Sequence, residues 1–162
     1  MAGPIAGLRF ASCWKMIGSM AKTSLNSVLR EASAVRNMPN IFAHKKGRIL
    51  WLDEIQHHGY VIDSFQASLG NLAWKCSSVF VSFDLDSVAA SDAPGVSCPG
   101  ILGLSAQDAV SIAYRSGCHP SVSLFDISEY NPAIEDERTG RLAAALFYNF
   151  CLGVASRKEK KK

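Results

Sequence analysis

Two carboxylates, Asp84 and Asp86, stand two residues apart at the end of the apolar run Ser78-Val-Phe-Val-Ser-Phe-Asp-Leu-Asp86. On a strand, residues i and i+2 share one face. Like charges held that close resist ionising together unless a cation lies between them. Oxygen-only ligands favour Mn²⁺ or Mg²⁺ over copper or thiolate-bound zinc. A water held between two such ions becomes hydroxide near neutral pH and can attack carbon. A pair of strand-end carboxylates that caps a loop has the same spacing, so the motif by itself leaves both readings open. Asp126 and Glu129 close the next apolar run in the same way. The histidines add little to a metal site. His57 and His58 are adjacent and therefore point to different sides of a helix or strand, and His119 lies in a turn between Cys118 and Pro120 without zinc-site partners.

These carboxylates need a scaffold, and the hydrophobic pattern supplies one. Arg48-Ile-Leu-Trp-Leu52 reads as a short buried strand. Tyr60, Val61, Phe65, Leu69, Leu72 and Ala73 recur at helical spacing. Ser78–Asp86 is a second strand, followed by a loop rich in Ala, Pro, Gly and Ser up to Gly103. Ser105 is an N-cap for a helix that stops at Gly117. Val122–Ile127 is a third strand, leading to Glu129 and the turn pair Asn131-Pro132, and a last helix runs from about Arg141 to Val154. Strands alternating with helices of this length predict βαβ units in a parallel sheet. Ligands in such sheets bind beyond the carboxyl ends of the strands, where the acids are.

The composition fits one globular domain of 162 residues, 48% apolar, with no apolar run long enough to span a bilayer. Its net charge of +3 conceals a sharp division. Residues 1–52 carry eight Lys/Arg and one acid, residues 53–156 four Lys/Arg and twelve acids, and residues 157–162 five Lys/Arg and one acid. The acid-free, Ser-rich opening stretch has the composition of a mitochondrial transit peptide, with an ordinary helix over 10–35 as the alternative. Five widely spaced cysteines without a C-x-x-C pair predict reduced thiols, which points to the cytoplasm, with a mitochondrial location as the second choice. The basic ends lack the aromatic interleaving of a nucleic-acid binder, so neither nucleic acid nor membrane is expected as a partner.

Four motifs follow in order: Val81-Ser-Phe-Asp-Leu-Asp86, Ala93-Pro-Gly-Val-Ser-Cys-Pro-Gly100, Gly103-Leu-Ser105 and Asp126-Ile-Ser-Glu-Tyr-Asn-Pro132. This series resembles the ureohydrolase superfamily of arginases, agmatinases and formimidoylglutamases, over roughly residues 43–156. The Ala-Pro-Gly-Val-Ser wording looks most like the formimidoylglutamase branch. The resemblance implies a three-layer α/β/α fold and a dimanganese site that hydrolyses amidine or guanidinium C–N bonds. It implies Asp84 as a ligand bridging both Mn²⁺ ions and Asp86 as a ligand to one. It implies Glu129 as the carboxylate that receives the substrate's planar cation, with Asp126 in support. It also implies a small-molecule amidine or guanidinium substrate and a homo-oligomer.

Two departures shape the expectation. Where arginases and agmatinases carry Asp-Pro after the second aspartate, Ala89-Ala90 stand here, which leaves the formimidoylglutamase branch. The family's upstream Gly-Gly-x-His and Asp-Ala-His-x-Asp segments have no counterpart, since no Asp precedes Asp53 and the only earlier histidine is His44. The domain division expected is a basic segment 1–42, a ureohydrolase-like C-terminal portion 43–156 and a solvated basic tail 157–162. Two functions remain in view: a formimidoylglutamase-like hydrolase of histidine breakdown, and a catalytically inactive truncated remnant with half a metal site. Missing strands would leave an exposed sheet edge and an apolar patch.

Overall fold

The computed structural model describes residues 61–159, together with Leu50, Leu52 and Ile55. Its elements alternate: α1 (Val61–Lys75), β1 (Val79–Asp84), α2 (Ala106–Cys118), β2 (Val122–Ser128) and α3 (Glu137–Glu159). β1 and β2 pair in parallel, with Val81 opposite Phe125, Phe83 opposite Ile127 and Asp84 opposite Ser128. Every residue of β1 except Ser82 is buried, as a strand inside a parallel sheet should be.

The helices meet the sheet on one side. Phe65, Leu69 and Leu72 of α1, Ala109, Ile112 and Ala113 of α2, and Leu142 and Leu146 of α3 share one core. β1 contributes Val79, Val81 and Phe83 to it, and Phe125 and Ile127 of β2 pack against it. Alternation along the strands places Phe80, Ser82 and Asp84 on the opposite face. Phe125 links the layers by stacking on Phe150 of α3, with ring centroids 4.9 Å apart. α2 and α3 cross at two glycines: a Cβ on Gly117 would lie 2.2 Å from the Phe150 carbonyl oxygen, and one on Gly153 2.3 Å from that of Tyr114. Only hydrogen fits between the helices there.

Local chemistry fixes the ends of α2. Ser105 accepts from the Asp108 amide while the Asp108 carboxylate accepts from the Ser105 amide, a complete capping box. At its other end, Arg157 donates to the carbonyls of Gly117, Ser116 and Val122. Those are helix-end and strand-start acceptors with no partner further along the helix.

Several expectations are corrected. Leu52 and Ile55 are helical and buried, so the run ending at Leu52 does not finish as a strand; short apolar runs fit a buried helix equally well. β1 stops at Asp84, and Leu85–Ser87 forms a 3₁₀ turn. α3 begins four residues before Arg141 and passes through Arg157, which is half-buried and tied to α2. Arg157 itself is therefore held against α2, and residues 160–162 lie outside the described residues. Cys98, Cys118 and Cys151 are free thiols, but Cys76 is disulfide-bonded, a pairing that spacing alone does not reveal. The segment 1–42, with its transit-peptide and helix readings, lies outside the described residues, as do His44, His57 and His58.

Candidate functional site

The site forms where β1 and β2 end together. Parallel pairing sets Asp84 beside Ser128, so the residues that follow each strand emerge at one rim. Asp84 is buried, at 8% exposure. Its Oδ1 accepts from the Asp86 amide at 3.0 Å, capping the 3₁₀ turn. Its carbonyl accepts from the Ser87 hydroxyl. Asp86 is half-buried and accepts from the Cys98 amide at 3.4 Å. The expectation that Asp84 and Asp86 share a strand face is corrected here. Asp84 ends β1 with extended backbone and Asp86 lies in the 3₁₀ turn that follows, so the period-two alternation of a strand does not relate them. The loop-capping reading of the Asp-x-Asp pair is thus realised for Asp84.

The loops after the two strands are stitched to each other. Val96 bridges Tyr130 in antiparallel fashion, and the Asn131 amide donates to the Gly95 carbonyl at 2.8 Å. The Gly95 amide donates to Thr139 Oγ1 at 2.7 Å, and that hydroxyl donates to Glu135 at 2.8 Å. A Cβ on Gly95 would lie 2.0 Å from the Glu135 carbonyl oxygen, so this approach requires glycine. Thr139 is fully buried. The first loop closes on itself as well: Ala89 donates to Leu104, Leu104 to Ser87, and Ala90 to Gly100. Asp92 then accepts from the Ala106 amide at 2.8 Å, joining this loop to the start of α2.

Glu129 is the one non-glycine residue with positive φ among the described residues, at 66°. A left-handed backbone at a glutamate costs energy that the surrounding fold must offset, and such positions concentrate at functional sites. The stitched Tyr130 and Asn131 hold it there. Glu129 is exposed at the rim. Asp126, expected to support the strand end, sits within β2 and accepts from Ser82 Oγ across the sheet at 3.0 Å.

The surrounding acids act as helix and turn supports. Glu135 accepts from the Arg138 and Thr139 amides at the start of α3. Those two backbone hydrogen bonds are the leading reason its carboxyl sits below the usual range. Tyr130 donates to Asp136, and that hydrogen bond holds the phenol above its ordinary value. Thr139, Glu135 and Asp92 were not among the residues singled out from the sequence, and Gly95 stood there only within the Ala-Pro-Gly-Val-Ser motif. An acid shortly before a long apolar-periodic run was the available signal for Glu135. His119 lies before β2, at the opposite end of the sheet. Burial, and then the nearby Arg157, push its imidazole below the ordinary value.

The described residues do not make a complete metal site. No group of three or more His, Cys, Asp and Glu among them is placed to hold an ion. Asp84 and Asp86 are the two metal-type donors at the rim, and each already accepts a backbone N–H. A dimanganese pair needs donors beyond these.

A family model described as the arginase family matches residues 8–153, reaching back through the basic head, whereas the motifs begin to resemble that family only near residue 43. A formimidoylglutamase of Paraburkholderia xenovorans is 30% identical over 118 residues, 72% of this chain and 37% of that protein. The structure of Trypanosoma cruzi formiminoglutamase with Mn²⁺ aligns at 38% identity and a TM-score of 0.68, covering 74% of this chain and 40% of that one. Bacillus caldovelox arginase shares the fold, with a TM-score of 0.65 at 23% identity over 71% of this chain. The chain thus spans about two-fifths of the length of these relatives.

Proposed function

This chain belongs to the arginase family, with its three-layer α/β/α fold, and from that premise we propose that it serves the manganese-dependent hydrolysis of a linear amidine. The formimidoylglutamase branch is the best-supported one, through both the Ala-Pro-Gly-Val-Ser loop and the relatives it matches. The reaction is then formiminoglutamate plus water giving glutamate plus formamide. Asp84 and Asp86 would supply carboxylates to the metal site, and the described residues hold no further group that would complete it. Glu129 receives the amidinium, whose paired N–H donors suit a carboxylate.

The observation that carries this reading is the left-handed Glu129 beside the end of β1. A loop with no binding duty would place glycine or asparagine at that backbone position. The assay is formamide release by the purified 162-residue chain in Mn²⁺. Release that disappears in Asp84→Ala supports the proposal.

A second reading has its own observation. Asp84 and Asp86 each accept one backbone amide, and no three-donor group stands among the described residues. On that basis the chain is a non-catalytic member of the family. Absence of turnover, with Mn²⁺ bound no tighter than by an unrelated acidic protein, would favour it over the hydrolase.

A further inference from the structure

Glu129 is held between two fixed stretches of chain. Before it, β2 stays in register with β1 up to the pair Asp84 and Ser128. After it, Tyr130 bridges Val96, and the Asn131 amide donates to the Gly95 carbonyl at 2.8 Å. With φ at 66°, the Glu129 backbone by itself favours release to a right-handed or extended conformation. That release would swing its Cα–Cβ bond, and the carboxylate with it, to a new direction. The bonds to Gly95 and Val96 lead only to the loop after β1. Helix α3, by contrast, is 23 residues long and anchored in the core by Leu142 and Leu146. Elements with core contacts open less readily than loops.

The Tyr130 side chain connects Glu129 to that firmer element. Its hydroxyl donates to Asp136 Oδ1, beside the start of α3. The ring lies across the first turn of the helix. A Cβ built on Gly140 would stand 2.7 Å from the phenol oxygen, 3.5 Å from Cζ and 3.2 Å from Asp136 Oδ1. Glycine inside a helix is unfavourable relative to alanine, and an isolated one there usually answers a packing need. Here the need is the phenol, which finds room over a hydrogen and not over a methyl. The bond to Asp136 also holds the phenol above its ordinary value, so the hydroxyl keeps its proton at neutral pH.

We propose that Tyr130 is the positioning residue for Glu129: its phenol, seated over Gly140 and bonded to Asp136, pins the chain after Glu129 to α3 and so sets where that carboxylate stands. The inference rests on the reading of Glu129 as the group that receives the amidinium, and adds the residue that aims it. The hydroxyl is committed to Asp136, so Tyr130 acts through Glu129 rather than on the substrate.

Nuclear magnetic resonance and kinetics on the full chain test this separately. A left-handed residue brings its amide proton close to its own Hα, so Glu129 should give a strong intraresidue amide–Hα Overhauser effect in the wild-type chain. Tyr130→Phe, which keeps the ring and loses the donor, should weaken that signal and lower the Glu129 backbone order parameter. Gly140→Ala should do the same, because the phenol is the movable end of a side chain and yields to the methyl. Alanine also favours the helix, so Tm should be no lower in that variant. Asp136→Asn keeps an acceptor and should retain the wild-type signal. In Mn²⁺ with formiminoglutamate, Tyr130→Phe and Gly140→Ala should raise KM roughly tenfold and leave kcat within about twofold, the split expected when uniform binding is lost. Asp136→Asn should keep the wild-type KM. A wild-type chain without turnover sinks the substrate role of Glu129, and loss of the Overhauser effect in the two variants then still supports the tie. An unchanged Glu129 signal in both Tyr130→Phe and Gly140→Ala overturns the proposal, as does an unaltered KM in an active Tyr130→Phe chain.

Discussion

Thr139→Val isolates the hydroxyl that ties the two rim loops together. Valine matches threonine in shape but has no hydroxyl, so the Gly95 amide loses its acceptor while remaining buried. No carbonyl can move in to replace it without displacing the Glu135 backbone, which is already as close to Gly95 as a glycine allows. A buried donor left unsatisfied costs about 1–3 kcal/mol. Glu135 keeps its hydrogen bonds from the Arg138 and Thr139 amides, so its own loss is small. The net expectation is a destabilisation of about 2 kcal/mol, which lowers Tm by roughly 4–8 °C in a chain of this size. Thr139→Ser separates the hydroxyl from the methyl, because it keeps the hydrogen bond and loses only packing, about 1 kcal/mol. Thermal unfolding gives the stabilities, and amide hydrogen exchange reports the bond directly. The Gly95 amide should exchange slowly in the wild-type chain and in Thr139→Ser, and rapidly in Thr139→Val. Equal protection of Gly95 in the valine and serine variants would refute the role assigned to this hydroxyl.

Three further expectations follow from the same framework. Gly153→Ala forces a methyl against the Tyr114 carbonyl; a loss of about 1–3 kcal/mol in urea denaturation is expected, and unchanged stability would show that α2 and α3 separate at no cost. Ser105→Ala removes half of the α2 capping box and should lower stability by about 1 kcal/mol in the same measurement, whereas Ser105→Thr, which keeps a hydroxyl that both accepts from and donates to Asp108, should recover most of it. His119 has a folded pKa below its unfolded one. The unfolded chain therefore takes up the proton first, and stability present above about pH 6.5 is lost as pH falls towards the folded value. Comparison of Tm between neutral and mildly acidic buffer should show a smaller drop for His119→Gln than for the wild-type chain, and identical drops would exclude the linkage.

The parts of the fold governed by local pattern were legible in the sequence. Ser105 declares its cap by standing before an apolar-periodic run, and the β-branched, aromatic stretch from Ser78 declares a buried strand. The end of that strand was not legible. Whether Asp86 continues β1 or enters a 3₁₀ turn depends on the Asp84 carboxylate bending back to the Asp86 amide, a contact the hydrophobic pattern does not encode. The run ending at Leu52 misled for a related reason, because its length suits a strand or a buried helix equally. Motif order located the rim and named Asp84, Asp86 and Glu129. It contained Gly95 within the Ala-Pro-Gly-Val-Ser motif but was silent on Thr139 and on their hydrogen bond, which spans 44 residues and exists only once the loops meet. The start of α3 was missed because charged residues from Glu135 to Arg141 hide the periodicity, although Glu135 serves as an acceptor at that end.

Formamide release from formiminoglutamate by the full chain in Mn²⁺, measured alongside Asp84→Ala, bears most directly on the proposed activity. The proposal requires manganese-dependent release from the wild-type chain and its loss in the variant, with circular dichroism confirming that both are folded. No release from the wild-type chain, together with Mn²⁺ affinity unchanged by Asp84→Ala, would contradict it and leave the strand-end aspartate as a cap for the turn that follows β1.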